Sequence, residues 1–187
     1  MDEHSDIGAT PAAKDAFSVH VAREWERTFD AANTPATRKV ALRTSMVLGT
    51  QAGGVLDVMR RLVRAGLGGR MGSGRQYVSW IHEEDFCRTI EWLISQQDFC
   101  GAVNLAAPNP ISNRELMSKL RTACAKSFGL PAARWMLEIG AFFMRTETEL
   151  IIKSRRVVPG RLLASGFEFR FPSLESALAE LLPRMLK

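Results

Sequence analysis

Apolar residues recur every fourth position from Phe17 through Val21 and Trp25 to Phe29, which predicts a helix with one apolar face ending near Asp30. Ala31 to Arg38 holds Asn33 and Pro35 and reads as a connection. The run from Lys39 to Leu48 is mostly apolar and is closed by Gly49, so it predicts a buried strand. After Gly53 and Gly54, residues Val55 to Ala65 return to helical spacing. Val55, Met59, Leu62 and Val63 form the apolar side, and Arg60, Arg61 and Arg64 the wet side. Gly66 to Gly74 is a glycine-rich loop. Gln76 to Ile81 predicts a strand and Glu84 to Gln96 a helix, with Glu83, Glu84 and Asp85 at its positive end. Val103 to Ala106 predicts a short strand. Ser112 and Glu115 make a capping box for a helix from Asn113 to about Lys126. Ala133 to Ser154 predicts one or two helices. The tail predicts a short helix, a strand at Phe167 to Phe171 and a final helix from near Ser173. Leu174, Ala177, Leu178, Leu181 and Leu182 line the inner face of that last helix.

Helices thus alternate with strands. That order predicts an α/β fold with a mainly parallel, doubly wound sheet, followed by a helical lobe. The expected divisions are a loop arm at 1–16, an α/β unit at 17–127 and a C-terminal lobe at 128–187. With 187 residues the chain can bury a sizeable core. Its 46% hydrophobic and 24% charged content fits a globular protein without a membrane span, which would need roughly 20 apolar residues in a row. The polar, acidic start carries no secretory pattern. Cys87, Cys100 and Cys124 share no metal-ligand spacing, so we expect reduced thiols, a cytoplasmic location and no metal.

Charge changes the picture at one place. Between Arg38 and Arg75 there are eight Lys or Arg and a single acid, Asp57. Such a stripe suits a solvated face, or a small anionic or phosphorylated ligand. No zinc-finger or RNP-type aromatic motif accompanies it, which argues against nucleic acid.

Gly66, Gly69 and Gly72 have GxxGxxG spacing, but a helix precedes them and a strand follows. A dinucleotide cradle requires the reverse order, so the match is expected to be structural. Tyr77 is the only tyrosine, and Ile81 stands where a Tyr-x-x-x-Lys pair would need its lysine. We therefore expect no catalytic residue here. His82 and Asp85 form a weak H-x-x-D signal, better explained by a histidine that fixes a loop. Arg70 and Arg75 flank the glycine loop and are candidate phosphate contacts. Trp80 is a candidate stacking wall.

The blocks REWE (23–26), LRTSMVLG (42–49), GLGGRMGSGRQYVSWIHEEDF (66–86), VNLAAPNPISNREL (103–116) and VVPGRLLASGFEFRFPSLESAL (157–178) resemble the NAD-dependent epimerase/dehydratase family of extended short-chain dehydrogenases, in its subgroup with a DUF1731 C-terminal region. The resemblance covers nearly all of residues 17 to 182. It implies the C-terminal strands and substrate lobe of a Rossmann-type fold. It also implies that the strands carrying the glycine fingerprint and the catalytic tyrosine lie upstream, so that this chain is a C-terminal portion. NAD or NADP serves the intact family, and this chain alone is expected to bind neither. Two departures concern ligand. Met46 stands three residues after Arg43 where the sugar-nucleotide enzymes have Asn, and Val78 and Ser79 stand where they have Arg.

The expected substrate-binding set is Arg43, Ser45, Arg75, Trp80, His82 and Asn104. Arg43 and Arg75 would neutralise an anion, Ser45 and Asn104 donate hydrogen bonds, Trp80 wall the pocket and His82 orient it. The leading expectation is the substrate side of an NAD(P)-dependent, nucleotide-sugar-epimerase-like oxidoreductase without turnover of its own. The alternative is a non-catalytic interaction or oligomerisation module that pairs through an exposed sheet edge.

Overall fold

The computed structural model describes residues 1–5, 7, 16–132 and 154–185. The one or two helices expected at 133–154 lie outside these residues, apart from Ser154. The first helix, α1 (Ala16–Ala31), is closed by Lys39, whose Nζ donates to the carbonyls of Phe29 and Ala32 at 3.1 and 3.0 Å. A cation there answers the negative end of the helix.

The strands form three pairs. β1 (Val40–Thr44) runs parallel to β5 (Gly101–Leu105), and β2 (Met46–Leu48) parallel to β4 (Trp80–His82). β3 (Tyr77–Val78) is antiparallel to β6 (Ile111–Ser112). Lys39 to Leu48 is therefore two short strands rather than one. The chain changes partner at Ser45, whose N–H donates to Leu105 O at 3.0 Å, while the next amide, of Met46, goes to Ser79 O at 3.3 Å. β1 is also only half-buried, because β5 covers one of its edges and the other has no strand beside it among the described residues.

The expected strand at Gln76 to Ile81 breaks in the same way. Ser79 separates β3 from β4: its hydroxyl donates to Arg155 O at 2.7 Å and accepts from the amide of Val157 at 2.8 Å. Those bonds belong to a crossing segment, not to a ladder.

Helix α2 (Val55–Arg64), α4 (Asn113–Ala123) and α6 (Leu174–Arg184) pack around β2 and β4. Leu48, Leu56, Val63, Trp80, Met117, Leu120 and Leu181 make the centre of this core. Helix α3 (Glu83–Ser95) and the short α5 (Gly160–Ala164) close a second cluster of Ile81, Leu93, Val103, Leu105, Leu162 and Phe167. Each such side chain stabilises the fold by roughly 1.5–3 kcal/mol relative to exposure. Ser112 and Ser173 cap α4 and α6 by accepting the amides of Glu115 and Ser176. α4 stops at Ala123 rather than near Lys126, and Ala125 just beyond it has a positive φ of 54°.

No strand forms at Phe167 to Phe171. Phe167 packs in the second core, and the amides of Arg170 and Phe171 donate to the two carboxylate oxygens of Asp85 at 2.9 and 2.8 Å. A buried carboxylate thus takes the hydrogen bonds that a neighbouring strand would have taken. Arg88 Nη1 donates to the same carboxylate at 2.9 Å. Replacing Asp85 by Ala leaves the partly buried amides of Arg170 and Phe171 without this acceptor. We expect a loss of about 3 kcal/mol in urea unfolding, and a loss below about 1 kcal/mol would show that this clamp does not hold the tail.

Candidate functional site

Arg43, Ser45 and Asn104 meet at the carboxyl ends of β1 and β5, where Arg43 stands opposite Asn104 in the register. Their polar groups are already engaged. Arg43 Nε and Nη2 make a bidentate pair with Glu26 of α1 at 2.7 and 2.8 Å, and Nη1 donates to Glu3 O at 3.4 Å. That Glu26 carboxylate raises the guanidinium pKa above its ordinary value. Asn104 Nδ2 donates to Val158 O at 3.1 Å, and Ser45 Oγ to Leu105 O at 2.8 Å. The Glu3 carboxylate receives the backbone amides of Asn104 at 3.0 Å and Arg161 at 3.2 Å. This cluster ties the first five residues and α1 to the sheet; it is self-satisfied rather than open to a ligand.

Trp80 and His82 point into the protein. Trp80 is fully buried in the first core, with Nε1 donating to Asn109 O at 3.3 Å. His82 is also fully buried and stacks on Phe171 with centroids 3.8 Å apart. Its Nδ1 accepts the Glu84 amide at 3.0 Å, so the proton sits on Nε2, which donates to Glu180 Oε2 at 3.0 Å. Burial raises the Glu180 carboxyl, but hydrogen bonds from Arg184 and His82 outweigh it and hold the carboxyl below its ordinary value. Asp85 serves Arg88, Arg170 and Phe171, so the H-x-x-D pair is not an acid–base couple in this fold. His82 caps α3 and anchors α6.

The glycines of 66–72 serve close backbone packing. A Cβ on Gly69 would lie 2.5 Å from backbone atoms of Leu130 and Pro131. The amides of Gly69 and Gly72 donate to Leu130 O and Ala132 O, and those of Leu130 and Ala132 return to Gly66 O and Arg70 O. The loop is a ladder with residues 130–132, not a phosphate cradle. A strand–glycine turn–helix does occur between β2 and α2, but acids fill it. Asp57 accepts the Gly53 amide at 3.0 Å and Glu83 the Thr50 amide at 3.2 Å. Two carboxylates stand where a pyrophosphate would need free N–H groups, so the described residues do not fit a dinucleotide. Among them no cluster of three or more potential metal ligands occurs, and no helix is long and apolar enough to cross a membrane. The three cysteines are free.

Arg75 lies apart from the other candidates, in a groove of about 290 Å³ lined by Gly74, Arg75, Tyr77, Ser112 and Arg114. Arg156 stacks on Tyr77 with its guanidinium carbon 5.0 Å from the ring centroid. Our sequence reading missed Arg114 and Arg156. The capping box at Ser112 placed Arg114 in the first turn of α4, but only the β3–β6 pairing sets that turn beside Arg75.

The half-wound arrangement of parallel pairs with helices packed against them defines a Rossmann-like α/β unit. Residues 132–181 match a family described as Domain of unknown function (DUF1731). The epimerase family protein Mb2239 of Mycobacterium bovis is 34% identical over 95% of this chain and 56% of its own length. The crystal structure of human epimerase family protein SDR39U1 (isoform 2) with NADPH superposes with a TM-score of 0.84 at 29% identity, over 98% of this chain and 59% of that one. A nucleoside-diphosphate sugar epimerase from Corynebacterium glutamicum superposes with a TM-score of 0.72 at 26% identity, over 96% and 32%. The chain belongs to this epimerase family with a DUF1731 region, and it spans about half the length of the curated relatives it matches.

Two outcomes test these assignments. Gly69→Ala should lower the melting temperature by several degrees, since about 2 kcal/mol of backbone clash has no flexible neighbour to absorb it; an unchanged melting curve would refute the close packing. Asp57 is held down to about 2, first by the Gly53 amide and then by Arg60. A carboxyl depressed in the folded state stabilises fully above its unfolded value near 3.8 and loses that contribution as pH falls towards 2. The stability gap between the parent and Asp57→Asn should therefore close across that window in pH-dependent urea titrations.

Proposed function

We propose that this chain is the substrate-side portion of an NAD(P)-dependent, epimerase-like oxidoreductase and has no hydride-transfer turnover alone. One observation carries the reading: among the described residues, parallel strand β1 is paired on a single edge and apolar side chains around it are exposed. A groove of about 250 Å³, lined by Arg38, Val40, Leu42, Ile90, Leu93 and Ile94, runs along it. Phe17 and Trp25 on α1 are 77% and 73% exposed, and Ile94 on α3 is 66% exposed. Parallel strands ordinarily lie within a covered sheet, so this face suits a further strand and helix. The relatives carry roughly as much chain again as is present here, and one of them binds NADPH. The occupant of this face is then a dinucleotide-binding half of that kind, and the nicotinamide belongs to it. The free cysteines suit a cytoplasmic setting.

A chimaera joining the uncovered part of the Mycobacterium bovis relative to this chain should bind NADPH about a hundredfold more tightly than the chain alone, read by tryptophan-to-nicotinamide energy transfer. Equal affinity for the two would sink the reading.

The same edge supports a second reading, self-association into a non-catalytic module. Sedimentation velocity separates the two: a concentration-dependent dimer that Leu42→Lys abolishes favours self-pairing.

A further inference from the structure

We propose that residues 1–5 form a displaceable strap whose Glu3 carboxylate fills, from within the chain, the place of a ligand carboxylate at the ends of β1 and β5. Donors from three separate parts of the chain turn on this one residue. The Asn104 amide of β5 donates to Glu3 Oε1 at 3.0 Å, the Arg161 amide to Glu3 Oε2 at 3.2 Å, and Arg43 Nη1 of β1 to Glu3 O at 3.4 Å. Gly160 leaves room for that approach, since a Cβ there would lie 3.0 Å from Glu3 Oε2 and 3.2 Å from Asp2 Cβ. In parallel α/β sheets, ligands bind beyond the carboxyl ends of the strands, where the chain changes partner. Ser45, directly after β1, is such a point here.

The strap is built to come away as a unit. Asp2 and Ser5 close a turn around Glu3: the Ser5 amide donates to Asp2 O at 3.2 Å, the Ser5 hydroxyl to Asp2 Oδ1 at 3.0 Å, and the His4 amide to the same Oδ1 at 3.2 Å. None of the five residues is buried. Beyond Glu3, the ties to the body include backbone bonds between Met1 and residues 156 and 158. A segment fastened by hydrogen bonds, with little apolar surface beneath it, opens locally while the core stays folded.

What the opening exposes sets the ligand class. The two backbone amides meet one carboxylate oxygen each, which is the fork that a carboxylate fills. Glu26 holds Nε and Nη2 of Arg43, so Nη1 is the part of that guanidinium turned to the strap. Arg43 is thereby neutralised already, and a multiply charged phosphate would be repelled by Glu26. A singly charged carboxylate held by amides suits the place better. The strap concerns the Arg43 cluster alone, so it holds or fails separately from the half-enzyme reading.

Amide hydrogen exchange on the 187-residue chain, followed by NMR, tests the opening. The Asn104 and Arg161 amides should exchange at least about tenfold faster than the Leu120 amide in α4, because the strap opens without the core. One common rate for all three would mean that the strap leaves only on global unfolding, and would overturn the proposal. Acetate tests the ligand class. Glu3→Ala should bind acetate saturably, read as shifts of the Asn104 and Arg161 amides, at least about tenfold more tightly than the parent chain, in which Glu3 competes. No binding by the variant, equal affinity in the two chains, or the same shifts from chloride would overturn it as well. Circular dichroism checks that the variant is folded, and if it is not, the exchange rates of the parent chain decide alone.

Discussion

A parallel strand has hydrogen-bonding groups on both edges and side chains on both faces, and all four directions need cover. β1 meets half of that requirement. β5 takes one edge in full register from Val40 to Thr44, and the second core lies beneath. Among the described residues the opposite edge has no strand beside it, and Phe17 and Trp25 on α1 are exposed. The rest of the architecture follows from where that sheet stops. The Ser45 switch hands the chain from β5 to β4, and the three helices on that side bury a core that is complete in itself. Among the described residues the protein therefore has a well-covered side, held by Trp80, Leu120 and Leu181, and a more exposed one.

On the well-covered side, residues that look like chemistry act as fasteners. The HEED block places a histidine and three acids within four residues, the residue types of an acid–base site. Its members point in different directions. His82 caps α3 and reaches α6 through Glu180; Asp85 holds the 170–171 backbone; Glu83 takes the Thr50 amide and a salt bridge from Arg184; Glu84 pairs with Arg170. A buried carboxylate with three donors is well satisfied, and that fixes a tail with little regular structure of its own. The same principle operates in the Arg43 cluster, where Glu26 pairs with the guanidinium and the Glu3 carboxylate accepts the Asn104 amide.

Around the glycine loop, Arg75 and Arg114 line one groove and, among the described residues, neither is in an ion pair. The loop's glycines are required by its ladder with residues 130–132. The protein presents two unlike faces, one apolar and one basic.

Local pattern was enough to determine most helices, the Ser112 cap, the α/β class and the family. Apolar spacing, capping residues and motif blocks are properties of neighbouring residues, and they survive without any knowledge of long-range pairing. It was also enough to expose the glycine motif as a decoy, because the order helix–loop–strand is itself a local fact. Tertiary structure alone decided the rest. Whether Phe167 to Phe171 pairs as a strand depended on a carboxylate 85 residues away, and whether Gln76 to Ile81 is one strand or two depended on which partner each half meets. Which arginines are neutralised depended on helices and loops remote in sequence: Glu26 reaches Arg43 from α1, while Arg114 shares a groove with Arg75 and, among the described residues, neither is in an ion pair. Charge neutralisation and hydrogen-bond satisfaction are settled by proximity in space, which no linear spacing encodes.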